Sequence, residues 1–153
     1  MAGVVRLGAM FLVCVCSAAC VTFRDQHVRL LVTVAPDANA DQPVPVDVVM
    51  VWNKKMAGQV SELAAKDWFQ RKRQMRRDDP DERAFAVREW EWVPGQDVPA
   101  LDVVVPSRHF RGANAVFLFA NYPGDGPHRV RMTPGKTGAL DLLRDDLQFQ
   151  NER

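Results

Sequence analysis

Short β-branched runs, each closed by Pro, Gly, Asp or Asn, recur along this chain and dictate its architecture. Residues His27 to Val34 read HVRLLVTV and stop at Pro36. Residues Val44 to Trp52 read VPVDVVMVW, the clearest strand. Phe85 to Val93 alternates over its second half and ends in a Pro94-Gly95 turn. Leu101 to Val105, Ala115 to Ala120 and His128 to Met132 complete the series. Period-2 patterning broken by turn residues argues for strands. Ala115 to Ala120 (AVFLFA) has no polar position, as expected of a strand buried on both faces.

One stretch breaks the pattern. From Asn53 to Arg77 the sequence is rich in Lys, Arg and Gln around Leu63, Trp68, Phe69 and Met75. This predicts one helix from about Ser61, as N-cap, to Arg77. Pro80 forces it to end near Asp78. Trp68 and Phe69 are read as core anchors. The C-terminal run Gly138 to Phe149 fits either a helical stripe (Leu140, Leu143, Leu147) or two strands, and the strand partners already present favour strands. The fold expected is mainly β, a β-sandwich with one inserted helix after the second strand. No repeat or linker divides it, so residues 27–153 are one domain.

The N-terminus has its own logic. Arg6 is followed by an apolar run from Leu7 to Val15, too short to span a membrane. Ser17-Ala18-Ala19 then precedes Cys20. This reads as an export signal over residues 1–19, removed before folding matters. Small residues before a cysteine resemble the bacterial lipobox, with Ser17 where Leu is usual. Cys20 is then the lipidation site and residues 20–26 a tether. Plain cleavage after Ala19 and an uncleaved anchor stay open. Val21, where Asp would retain a lipoprotein in the inner membrane, points to the outer membrane.

Removing residues 1–19 from the 153 leaves 134, enough for a self-sufficient core. All three cysteines lie at or before Cys20, so that core has no disulfide. Arg6 is the only charged side chain removed, which leaves 19 basic and 19 acidic residues. A neutral balance speaks against bulk nucleic-acid binding and polybasic lipid attachment.

Chemistry-bearing patterns are sparse. His27, His109 and His128 have no ligand spacing, and no metal or cofactor is expected. No GxSxG is present, and no enzyme activity is expected. Glu89 and Glu91 share a strand face opposite Trp90 and Trp92, which reads as a solvated face over core indoles. The basic run Arg71-Lys72-Arg73, Arg76-Arg77 sits beside Asp78, Asp79, Asp81 and Glu82, which reads as local charge balance. Gly124-Asp125-Gly126 reads as a hairpin turn.

The order of pieces resembles the TssJ-type lipoproteins of bacterial type VI secretion systems. The resemblance rests on the lipobox-like Cys20, the strand opening Pro43-Val44 and ending at Trp52, and Asp67-Trp68-Phe69 on the helix. Val93-Pro94-Gly95-Gln96 and Val116 to Ala120 complete it. It covers about His27 to Met132. Asn39-Ala40-Asp41-Gln42-Pro43 departs from the family pattern in lacking a Pro after the Asn and a Gly before the strand. The resemblance implies a transthyretin-like β-sandwich, anchored to the periplasmic face of the outer membrane. It also implies binding to the periplasmic domain of the inner-membrane protein TssM through the first interstrand loop. Here that loop is Asp37, Ala38, Asn39, Ala40, Asp41, Gln42 and Pro43. The competing expectation is a periplasmic inhibitor or immunity lipoprotein whose protruding loop blocks an enzyme.

Overall fold

The computed structural model describes residues 25–107 and 113–151; Cys20 and His109 lie outside them. β2 (Val44–Val51) is apolar but for Asp47 and lies in the middle of the molecule. Its side chains alternate between two cores: Val44, Val46, Val48 and Met50 face one, Val49 and Val51 the other. A strand buried on both faces needs layers on both sides.

Among the described residues, eight strands form two four-stranded sheets. The other strands are β1 (Gln26–Val34), β3 (Phe85–Trp92), β4 (Leu101–Val105), β5 (Ala115–Ala120), β6 (Arg129–Met132), β7 (Thr137–Leu142) and β8 (Leu147–Asn151). One sheet runs β3-β2-β5-β6 and the other β4-β1-β7-β8. Only the β1–β7 pair is parallel, with Val34 opposite Leu142. Between the sheets lie Val28, Leu30, Trp92, Val105, Leu118, Leu140 and Leu142. The expected strand pair at the C-terminus is present as β7 and β8. All six residues of β5 are buried, as expected.

The inserted segment differs from the expected single helix. Two helices stand there, α1 (Lys54–Glu62) and α2 (Ala65–Asp78). The cap of α1 is Asn53, whose side-chain oxygen accepts from Met56 N–H at 3.0 Å. Ser61 is instead in the last turn of α1, its hydroxyl donating to Gly58 O. Leu63 and Ala64 are extended, which breaks the helix with neither Gly nor Pro. Tertiary partners hold the break: Arg129 Nη1 donates to Leu63 O at 2.7 Å, and Ala65 N–H donates to Pro127 O at 2.9 Å. Backbone groups freed by the interruption are therefore satisfied from β6 and its loop, which offsets the lost helical bonds.

The helices cover the outer face of the β3-β2-β5-β6 sheet, with Trp68 fully buried at the centre. Its indole stacks on Phe119 at 5.3 Å between centroids and meets Phe85 edge-on at 6.2 Å. The expectation of a core anchor holds for Trp68; Phe69 is half-buried beside it, under the Lys72 ammonium at 4.6 Å.

Candidate functional site

The β1–β2 loop lies at one end of the sandwich, folded against the β7–β8 turn. Ala35 N–H donates to Leu142 O at 2.9 Å, Asn39 N–H to Leu143 O at 3.1 Å and Ala40 N–H to Arg144 O at 3.2 Å. Asn39, Ala40 and Asp41 have φ of 49°, 50° and 65°, three left-handed residues in a row. Asn and Asp tolerate that region, whereas Ala pays roughly 1–2 kcal/mol for it. The turn is closed by Asn39 Nδ2 donating to Pro43 O at 2.7 Å and Gln42 N–H to Asn39 O at 3.1 Å. Asn39 Oδ1 is buried and has no donor among the described residues. Such an orphan costs about 1–3 kcal/mol.

This geometry divides the seven loop residues singled out from sequence. Ala38 and Asn39 turn inward, 0% and 7% exposed. Asp37, Ala40, Asp41, Gln42 and Pro43 face solvent. The inward pair holds the loop's shape, and the outward five make up its exposed surface.

Two further loops reach the same end. In the β5–β6 connection, Asn121 N–H donates to Pro45 O at 2.8 Å and the Tyr122 hydroxyl to Leu143 O at 3.1 Å. Burial, with the charges of Asp146 and Asp145 nearby, pushes that hydroxyl's pKa well above its ordinary value, so it stays a donor. His128 is buried, with Nδ1 2.8 Å from Asp146 Oδ1 and Nε2 3.2 Å from Gly124 O. It ties the β5–β6 connection to the β7–β8 turn. Gly126 is needed beneath it, since a Cβ there would stand 2.8 Å from the imidazole Cε1. The Gly124-Asp125-Gly126 stretch lies, as expected, in the hairpin connection between the antiparallel strands β5 and β6. Sequence reasoning missed Tyr122, His128 and Asp146 as a unit. Its one available signal was a lone Tyr and a His flanking a Gly/Pro loop.

Together these loops enclose a cleft of about 360 Å³ that Asn39, Ala40, Gln42, Pro43, Asn121 and Pro123 help to line. The opposite end of the sandwich holds the start of β1. Gln26 pairs with Val105 there, Ser107 N–H donates to Asp25 Oδ1 at 2.9 Å, and the Trp52 indole donates to Pro106 O. Nine residues of β1 separate the two ends, about 30 Å at strand rise.

The remaining charged cluster faces α2. Asp47 of β2 accepts from Trp68 Nε1 and from Lys72 Nζ, each at 2.8 Å. Lys72 also donates to Glu89 at 2.7 Å, and Arg76 donates to the same carboxylate at 2.9 Å. Burial raises the Asp47 pKa despite the Lys72 and Trp68 donors. The Lys72 hydrogen bond lowers that of Glu89 against a smaller burial effect. Burial opposes the Lys72 charge, but bonds and charges from both carboxylates raise its pKa on balance. Within the basic run, Lys72 and Arg76 thus pair with β2 and β3 rather than with the acidic stretch that follows. Glu91 is exposed, and Trp90 and Trp92 stack at 6.0 Å on the other face of β3.

Among the described residues, no group of His, Cys, Asp and Glu could hold a metal ion, and no helix is long and apolar enough to cross a membrane. His27 pairs with Asp102 at 3.0 Å on the exposed face of β1.

No family profile matches the sequence, and no curated protein does. Solved structures do. The type VI secretion lipoprotein TssJ1 from Pseudomonas aeruginosa superposes with a TM-score of 0.57 at 13% identity, over 85% of this chain and 98% of that one. Serratia marcescens Lip, a membrane-bound component of the type VI secretion system, gives 0.58 at 12% identity, over 85% of this chain and 100% of that one. The chain has the β-sandwich fold of these type VI secretion lipoproteins.

Proposed function

We propose that this chain is a lipid-anchored component of a type VI secretion membrane complex. Cys20 carries the lipid at the periplasmic face of the outer membrane. The β1–β2 loop holds the periplasmic domain of a TssM-type inner-membrane protein. The observation that carries this reading is the placement of the two ends. The N-terminal segment enters beside Gln26, and the outward residues Asp37, Ala40, Asp41, Gln42 and Pro43 sit at the far end of β1. A load between two membranes would then run along the strands of a double-sheet sandwich. The likeness of fold to the two lipoproteins supports the same reading.

The role is mechanical and needs no catalysis. Lipid chains give about 0.8 kcal/mol per buried CH₂. A rigid framework presenting loops at one end suits protein recognition. The inhibitor or immunity alternative asked for a protruding loop; this one is held down on the β7–β8 turn.

The test is complementation in a host from which the gene is deleted. The wild-type chain restores secretion, whereas Cys20→Ser and Gln42→Arg do not. Normal secretion with Cys20→Ser at matched abundance, or no secretion defect on deletion, contradicts the proposal.

A further inference from the structure

We infer that the partner surface is composite: the β5–β6 connection forms the second wall of the binding cleft, and the cleft receives an extended, basic segment of the partner. This rests on the function proposed above and names the chemistry of the segment that the loop end takes. The lining of the cleft and the charge around it converge on this.

The cleft's lining is uncharged and stiff. Pro43 and Pro45 from the first loop side and Pro123 from the β5–β6 connection line it, together with Gln42 and Asn121. Proline walls lose little entropy on contact, and primary amides both donate to and accept from an extended backbone. Asn39, whose Oδ1 lacks a donor, lines the same cleft.

The surroundings are acidic. Asp37 and Asp41 on the first loop, Asp125 on the second, and Asp145 and Asp146 on the β7–β8 turn are all exposed at this end. Arg144 offsets part of this, 3.8 Å from Asp37, and His128 engages Asp146. An acidic rim around an uncharged slot complements a segment whose Lys or Arg residues flank its middle. β1 begins at the other end, where Gln26 pairs with Val105.

The experiment titrates the TssM-type periplasmic domain from the same genome into the full-length lipoprotein in detergent, at about 50 and about 300 mM salt. Wild type should weaken at high salt. Asp41→Lys and Asp125→Lys should each weaken binding at low salt by about tenfold and flatten the salt dependence. Asp81→Lys, exposed near the other end, should stay within about twofold, and thermal unfolding checks that each variant folds. If Gln42→Arg abolishes binding while Asp125→Lys leaves affinity and salt dependence unchanged, the composite, basic-segment inference fails and the single-loop reading stands. If the wild-type chain does not bind at all, both fail.

Discussion

The Lys72 ammonium of α2 donates to the Asp47 carboxylate of β2 at 2.8 Å, and that carboxylate side chain is 2% exposed. A charge set in the middle of a strand is costly unless paired. Removing one partner of such a pair costs about 3–5 kcal/mol, whereas replacing both by apolar groups is near neutral. Lys72→Met should therefore destabilise by roughly 3 kcal/mol. Adding Asp47→Val to it should restore part of the loss, less the bond from Trp68. Denaturant unfolding reads both; a double variant weaker than Lys72→Met would refute the pairing argument.

Glu89 supplies the pH dependence. Lys72 and Arg76 hold its pKa below the ordinary value. Its contribution is complete above the unfolded-state pKa and is lost as pH falls through the lower folded value. Asp47 runs the other way: its raised pKa means the folded state gains protons first, so its protonation offsets part of the acid loss. Glu89→Gln should flatten the acid limb of a stability–pH curve below about pH 5, and an unchanged limb would be the contrary result.

Gly138 lies under the Phe149 ring on the neighbouring strand, and a Cβ there would overlap that ring. Gly138→Ala should destabilise by about 1–3 kcal/mol, the usual cost of overpacking. Phe149→Leu in the same chain should recover some of it. Thermal melts of the three variants decide this.

Much of this was legible in sequence because it follows from side-chain pattern. The strands announced themselves through β-branched runs, and AVFLFA read as doubly buried because no polar residue interrupts it. Pro80 marked the end of α2. The break between α1 and α2 was not legible. Leu63-Ala64 contains no helix breaker, and the groups that satisfy it, Arg129 and Pro127, lie more than sixty residues away. The loop was found but not its division. Asn39, read only as part of the partner loop, also fastens it through its left-handed backbone and its bond to Pro43. Lys72 looked like one of several surface cations because its partners Asp47 and Glu89 sit on strands β2 and β3, distant in sequence.

Asn39→Ala follows from that division. It removes the bond to Pro43 and places alanine at φ 49°, while also deleting the orphan oxygen. The net cost should be about 1 kcal/mol, read as a lower melting temperature. Gln42→Arg should leave the melt unchanged, since Gln42 is exposed. Equal effects on stability would contradict the inward and outward assignment.

The most direct test is calorimetric titration of the Cys20→Ser chain lacking residues 1–19 with the TssM-type periplasmic domain. Two variants at opposite ends serve as probes: Gln42→Arg on the loop and Lys54→Glu at the start of α1. Saturable wild-type binding, weakened at least about tenfold by Gln42→Arg and within about twofold for Lys54→Glu, is the predicted result. Loss of binding with Lys54→Glu alone, or no binding by the folded wild-type chain, would contradict the placement of anchor and partner at opposite ends.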